Sequence, residues 1–133
     1  MGKIAFRSSA HRDFYFRMLQ EVKRDDTYHR AFFYTMGIFP ETQNNIQSVF
    51  DFKDDSINFD GLHAGWQTGT TSRVTRLAFN LWNGWTEDGM EHLSSPYEIF
   101  DCEATPYLIE AIKLKYPEYC RELARDADME MER

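Results

Sequence analysis

The fold is decided by the stretch Thr71-Ser72-Arg73-Val74-Thr75-Arg76-Leu77-Ala78-Phe79-Asn80-Leu81-Trp82-Asn83. Successive side chains of a helix are about 100° apart, so the apolar residues of this stretch cover roughly 200° of the helix circumference. A surface helix carries a narrower apolar stripe. The sequence therefore predicts a central buried helix over residues 71–83, which Gly84 ends.

One line of polar side chains remains on this helix. Arg73, Arg76, Asn80 and Asn83 follow one another at spacings of three or four residues, so they lie along one face. Both arginines precede the middle of the helix, where the macrodipole disfavours a cation by up to about 1 kcal/mol. We therefore expect an anion close to the two guanidinium groups.

The anion has two alternative sources, and the sequence leaves both open. One is an external phosphate or carboxylate held by the loop before the helix, residues 65–70, which has small and hydroxyl residues but lacks the lysine and glycine spacing of a P-loop. In that case the candidate ligand-binding residues are His63, Trp66, Gln67, Thr70, Arg73, Arg76 and Asn80.

The other source is a carboxylate of the chain itself. An internal ion pair is the usual state of arginines beside a buried helix. Residues 65–70 would then form only a turn and an N-cap, with the cap at Thr70, Thr71 or Ser72. The nearest candidate partners in the sequence are Asp51, Asp54, Asp55 and Asp60.

Length and composition predict one all-α domain of about six helices. A chain of 133 residues has the length of a single domain, and 16% aromatic residues supply a bulky core. Apolar residues recur at helical spacing, whereas the alternation typical of strands does not occur. We expect the domain to span residues 1–126 and an acidic tail over 127–133 to fray.

Capping residues divide the chain into the other predicted helices. Ser, Thr, Asp and Pro recur just before the periodic segments, as N-caps and first turns favour. Ser95-Pro96-Tyr97-Glu98 has the spacing of a capping box, Thr105-Pro106 repeats the cap with proline, and Gly37 stands where a glycine C-cap belongs. The helices run from Ser8 or Ser9 to Val22, Tyr28 to Met36, Pro40 to about Phe50, onward from Pro96, Tyr107 to Tyr116, and Pro117 to about Asp126.

Charge and composition argue against several functional classes. The net charge of −7 disfavours nucleic acid, although residues 1–40 carry seven basic and four acidic side chains. No apolar run of about 18 residues and no leader pattern occur, so we expect a cytoplasmic protein without a membrane segment. The four histidines and two cysteines lack metal-ligand and catalytic spacing, so we expect no metal, no cofactor and no enzyme of a known motif.

Several segments carry a resemblance to a known family. They are Tyr28–Tyr34, Gly61–Thr70 with Leu77–Gly84, and Ser95–Asp101 with Glu110–Lys113. Through them the chain resembles, over nearly its whole length, the bacterial family recorded as domain of unknown function 6075. The resemblance implies a single-domain protein of gut Firmicutes and their mobile elements. It implies no activity, cofactor or catalytic residue.

Three functional hypotheses fit the sequence. The first and preferred is a protein–protein interaction or regulatory module of a mobile element, homodimeric or bound to another protein, because the aromatic residues exceed what a small domain readily buries. The second is an acidic inhibitor that mimics nucleic acid on a host protein. The third is a small phosphate- or nucleotide-binding enzyme that uses residues 61–76.

Overall fold

The structure, a computed structural model, describes residues 3–120. Helices dominate this part of the chain, and its two strands have two residues each. The predicted all-α fold is therefore confirmed. The elements are α1 (Ser9–Val22), α2 (Thr27–Met36), α3 (Pro40–Asn44), α4 (Ile46–Val49), β1 (Phe50–Asp51), β2 (Ser56–Ile57), a 3₁₀ helix (Phe59–His63), α5 (Gly69–Asn83), a second 3₁₀ helix (Glu91–Ser94), α6 (Pro96–Ile99) and α7 (Thr105–Lys115).

Helices α2 and α5 pack against each other at the centre of the fold. Val74, Leu77, Ala78 and Phe79 of α5 are buried, as the sequence predicts, and Arg76 of the predicted polar line is buried as well. Residues 31–36 of α2 are also buried. The central helix begins at Gly69 rather than at residue 71, because Thr68 caps it. Helix α5 shares the centre of the fold with α2, and α2 is buried over a larger fraction of its length than α5.

Helix α2 sends side chains into two apolar clusters. Phe32 packs into the first cluster together with Phe79 of α5. Tyr34 packs into the second cluster together with Leu77 of α5. Both helices contribute to both clusters, so each needs apolar residues around most of its circumference. Only a narrow strip of each helix is therefore left for polar residues.

Gly37 ends α2 without the left-handed conformation that the sequence predicts for a glycine C-cap. Its φ is −84°, which any residue can adopt. A Cβ atom at this position would lie 2.8 Å from Cδ2 of His11 and 2.9 Å from Cδ2 of Phe14. Glycine is therefore required by the close approach of α1 and not by the backbone dihedral angles.

Ser95 is the N-cap residue of α6 and Pro96 follows it, as predicted, but its side chain does not form the predicted capping box. The cap predicted at Thr105 is wrong, because Ala104 is the N-cap residue of α7. Ser95 precedes α6, but its hydroxyl donates to the carbonyl oxygen of His92 at 2.7 Å and makes no cap bond. Thr105 is the first residue of α7, and its hydroxyl donates to the carbonyl oxygen of Phe100 at 2.6 Å. Both hydroxyls are directed toward carbonyl groups of the preceding turn, and neither oxygen accepts a hydrogen bond from a helix amide.

Short elements occupy residues 40–63. The helix predicted from Pro40 to Phe50 breaks at Asn45, whose ψ of 24° is not helical, and this separates α3 from α4. Strand β1 then pairs antiparallel with β2, with Phe50 opposite Ile57. Both side chains are buried in the first apolar cluster, so the small hairpin closes one side of the core.

The predicted last helix is only partly within the described residues. Residues 117–119 form a turn, so the helix does not begin at Pro117. Its remainder and the predicted tail over 127–133 lie outside the described residues. Within residues 3–120, every helix is too short or too polar to cross a membrane.

Candidate functional site

The loop before α5 is held together by its own polar side chains. Thr68 and Thr71 form a reciprocal capping box, and the hydroxyl of Thr71 donates to Oε1 of Gln67 at 2.7 Å. The side-chain nitrogen Nε2 of Gln67 donates to the carbonyl oxygen of Gly61 at 3.0 Å and to the hydroxyl of Thr75 at 3.2 Å. The polar groups of this loop therefore organise the start of the helix, and the cap is Thr68, not Thr70, Thr71 or Ser72.

Arg73 bonds to backbone carbonyl groups. Its Nε donates to the carbonyl oxygen of Glu98 at 2.8 Å, and its Nη1 donates to that of Gly69 at 3.3 Å. Carbonyl oxygens carry partial negative charge, so these two contacts offset part of the cost of placing a cation near the helix start. Arg73 thereby ties α5 to α6.

Arg76 pairs with a carboxylate that the sequence did not indicate. Arg76 is buried, and its Nη2 donates to Oε1 of Glu87 at 2.8 Å. The other carboxylate oxygen of Glu87 lies 2.5 Å from Nε2 of His63, so Glu87 bridges both side chains. Hydrogen bonds from His63 and Arg76 hold the pKa of Glu87 below its usual value.

None of the four expected aspartates pairs with these arginines, so that part of the prediction is wrong. Gly84, at φ +79°, reverses the chain at the end of α5. The reversal brings Glu87 back beside the helix. Glu87 follows Arg76 in the sequence, whereas the four expected aspartates precede Arg76. Asp55 instead accepts a hydrogen bond of 2.8 Å from Nε2 of His29, whose Nδ1 lies 2.8 Å from Asp26.

The remaining predicted site residues do not converge with the arginines. Nε1 of Trp66 donates to the hydroxyl of Ser48 at 3.1 Å, and Asn80 donates to the carbonyl oxygen of Trp85 at 3.3 Å. Thr70 borders a separate, shallow cleft of about 190 Å³. These three residues thus make separate local contacts around α5.

Two buried polar atoms lack a hydrogen-bond partner within residues 3–120. They are Nη1 of Arg76 and the hydroxyl of Ser94. Buried polar groups without a partner are uncommon in folded proteins. They are the remaining indication of a polar ligand near the start of α5.

A much larger concave surface lies between α1 and α7. This cleft has a volume of about 920 Å³, near the upper end of the range for ligand sites. Its apolar lining includes Ile4, Tyr15, Phe16 and Leu19 from the N-terminal side and Leu114 from α7. Phe16 is 54% exposed, which is high for a side chain of its size.

Charged side chains surround this apolar lining, and most are basic. The basic residues are Lys3, Lys23, Arg24, Arg30 and Lys113, and we call the surface the basic groove. Its two acids are engaged within the protein: Asp25 accepts from Nε of Arg30 at 2.6 Å, and Glu110 accepts from the amide of Ala5 at 3.0 Å. A chain of net charge −7 thus has a concave face of the opposite sign.

Sequence reasoning missed the basic groove, although two signals pointed to it. Phe16 lies beside the buried face of α1, where a polar residue would be expected. The excess of basic residues in the first 40 positions was the second signal. Neither signal identified α7 as the opposite wall.

Three further side chains carry reactive groups. His11 is fully buried, and burial lowers its pKa to about 4. Cys102 and Cys120 are free thiols and half-buried, and Cys120 borders the basic groove. In the described part of the chain, no three His, Cys, Asp or Glu side chains are placed to hold a metal ion.

Comparisons with known proteins agree with the resemblance in sequence. The model of a family of unknown function, DUF6075, matches residues 1–128. Comparison with curated proteins and comparison with solved structures each give no match. The match covers all the residues of the basic groove and of the region around Arg76.

Proposed function

The chain belongs to DUF6075, a family of unknown function, and we propose that it is a protein–protein interaction module whose binding surface is the basic groove. The observation that carries the proposal is a concave surface on which Phe16 is exposed and Ile4, Leu19 and Leu114 are partly exposed, with basic side chains beside them. Exposed apolar patches of this kind in a small domain mark interaction sites. A partner would bury Phe16 and the apolar side chains next to it.

The surroundings of the groove support the same function. Tyr119, close to the end of the groove at Pro117 and Cys120, is 78% exposed. Tyrosine and phenylalanine are enriched at interface cores, because they bury a large area with few rotatable bonds. The resemblance supports a cytoplasmic regulatory role on a mobile element, and we include that role in the proposal.

Site-specific photo-crosslinking tests the proposal. A benzoylphenylalanine residue replaces Phe16 in one variant and Tyr97 in a control variant, since Tyr97 is 86% exposed and is not part of the groove lining. We expect one protein to crosslink from position 16 in cells and not from position 97. Its identity by mass spectrometry distinguishes a second copy of this chain from another protein. Equal crosslinking from both positions, or none from position 16, contradicts the proposal.

A small-anion site at Arg76 is the second candidate, because Nη1 of Arg76 is buried without a partner in residues 3–120. A phosphate or carboxylate would satisfy that donor by charge-assisted bonds. Thermal shift with inorganic phosphate tests it, with Glu87→Gln as the comparison. Phosphate should raise the Tm of both proteins, and more that of Glu87→Gln, because the carboxylate beside Arg76 no longer repels the anion. No shift in either protein would reject the anion site. The acidic nucleic-acid mimic receives less support, since the concave face of the described chain is basic.

A further inference from the structure

We propose that the partner of the basic groove is an acidic amphipathic helix of another protein, an inference that rests on the proposed interaction module. Three features of the groove support it: its shape, its unpaired cations and the charge of the remaining chain.

The groove has the shape of a gap between helices. Tyr15 and Leu19 are four residues apart on α1, and Lys23, the C-cap residue of this helix, continues the same wall of the groove. The facing wall is formed by Glu110, Lys113 and Leu114 of α7 and by Pro117 in the turn after it. Each wall is about 12 Å long, which is two turns of a helix. An additional helix would pack against both walls and place its apolar residues on Phe16 and Leu19.

The cations on the rim are not neutralised by the described chain. Lys23, Arg24 and Lys113 form no ion pair with any carboxylate of residues 3–120. The two acids of the groove are engaged with Arg30 and with a backbone amide, as described above. Carboxylates on both edges of a bound helix would therefore meet unpaired cations, which gives both orientation and specificity.

The charge of the whole chain favours a short acidic segment over a polyanion. At a net charge of −7, the protein repels the extended phosphate backbone of a nucleic acid and the surface of an anionic membrane. A single helix with one apolar face contacts only the basic groove. Its apolar residues also match the lining, which phosphate groups do not.

The binding experiment uses the full chain and two designed fluorescent peptides of about 18 residues, long enough to span both walls. Both peptides carry leucines at positions i, i+3, i+4 and i+7. The remaining positions are mainly glutamate in one peptide and lysine in the other. Fluorescence anisotropy should give an affinity for the glutamate peptide at least about tenfold higher than for the lysine peptide, and salt should weaken it.

Charge-reversal variants locate the contact. Arg24→Glu and Lys113→Glu should each weaken binding of the glutamate peptide several-fold. Lys53→Glu is the matched control, because Lys53 is exposed in the β1–β2 turn, outside the groove, and the change in net charge is the same. Equal effects of all three variants overturn the inference, as does equal affinity for the two peptides.

Other occupants give different results. Tighter binding to single-stranded RNA or to phosphatidylglycerol vesicles than to the glutamate peptide overturns the inference in favour of a polyanion. Residues 121–133 follow directly from Cys120 at the groove, so Leu123→Asp is also tested in the full chain. A gain in peptide affinity in that variant would make the chain itself the occupant and would overturn the inference. A specific crosslink from position 16 without preference for the glutamate peptide would leave the interaction module standing and reject only the acidic helix.

Discussion

Arg76 in the middle of α5 and Glu87 beyond its end form the ion pair that closes the chain reversal at Gly84, with 2.8 Å between Nη2 and Oε1. The arginine side chain is 9% exposed and that of Glu87 is 25% exposed. A pair at this depth is less screened by water than a surface pair. It therefore holds residues 84–90 against the central helix.

Loss of the charge on Glu87 should destabilise the fold. Glu87→Gln leaves Arg76 buried without a countercharge, and we expect a loss of about 1–3 kcal/mol in the free energy of unfolding. Arg12→Gln is the control, since Arg12 and Asp13 form an exposed pair of 3.4 Å that should contribute almost nothing. Urea denaturation at neutral pH measures both. Equal stability of the two variants would mean that Glu87 does not secure this reversal.

His11 should remain neutral well below pH 6. Its Nε2 lies 2.7 Å from the carbonyl oxygen of Tyr34, and its Nδ1 accepts from the amide of Arg7 at 3.0 Å. The neutral tautomer with a proton on Nε2 satisfies both contacts, whereas a second proton on Nδ1 would oppose the Arg7 amide. Burial accordingly lowers the pKa to about 4.

The pH dependence of stability follows from this lowered pKa. The unfolded chain takes up a proton on His11 near its ordinary pKa of 6.5, and the folded chain does so only near 4. The stability that His11 contributes is therefore complete above pH 6.5 and is lost as the pH falls toward 4. Histidine ring ¹⁵N spectra at pH 5.5 should show the neutral Nε2–H tautomer. An imidazolium signal for His11 at that pH would contradict the packing described.

Leu77 should be among the most costly apolar side chains to truncate. It is 5% exposed and packs in the second apolar cluster, so Leu77→Ala should cost about 2–5 kcal/mol through the cavity left behind. Ile109 of α7 is 43% exposed, and Ile109→Ala should cost much less. Chemical denaturation of both variants provides the comparison. A small effect at Leu77 would show that α5 is not a central element.

The central helix could be predicted from the sequence, whereas the partner of Arg76 could not. The apolar arc of residues 74–82 depends only on helical periodicity, a local property. Glu87 reaches Arg76 through the chain reversal at Gly84, so its position follows from a single backbone conformation. Asp51, Asp54, Asp55 and Asp60 were expected as partners because they lie shortly before the helix in the sequence. The chain reversal after the helix could not be anticipated from the sequence.

The basic groove was beyond sequence reasoning for another reason. Its walls, α1 and α7, are far apart in the chain and are brought together because each packs on α2. Such an arrangement is tertiary, and no local pattern around Phe16 or Leu114 specifies it. The cap position at Ser95 was predicted correctly, but its capping bond does not form, because the hydroxyl is directed toward the carbonyl oxygen of His92 in the preceding turn.

Gly37 should not tolerate even a methyl group. In Gly37→Ala the new Cβ would come within 3 Å of the rings of His11 and Phe14, and both are fully buried, so the core must shift. We expect a loss of about 1–3 kcal/mol from this overpacking. Gly65→Ala is the control, because a Cβ there has no atom within 4 Å. Thermal denaturation should show a lower Tm only for Gly37→Ala.

Lys23 should show opposite effects on stability and on binding. It ends α1 with φ 56° and ψ 37°, a left-handed conformation that costs a residue with a side chain roughly 1–2 kcal/mol and costs glycine little. Lys23→Gly should therefore stabilise the fold by up to about 1 kcal/mol, since the flexibility of glycine in the unfolded chain offsets part of the gain. The same change removes a cation from the rim of the basic groove and should weaken the glutamate peptide. Thermal denaturation and anisotropy on one sample measure the two effects. If Lys23→Gly raises Tm without changing peptide affinity, Lys23 is only a strained helix end and the acidic partner contacts other cations.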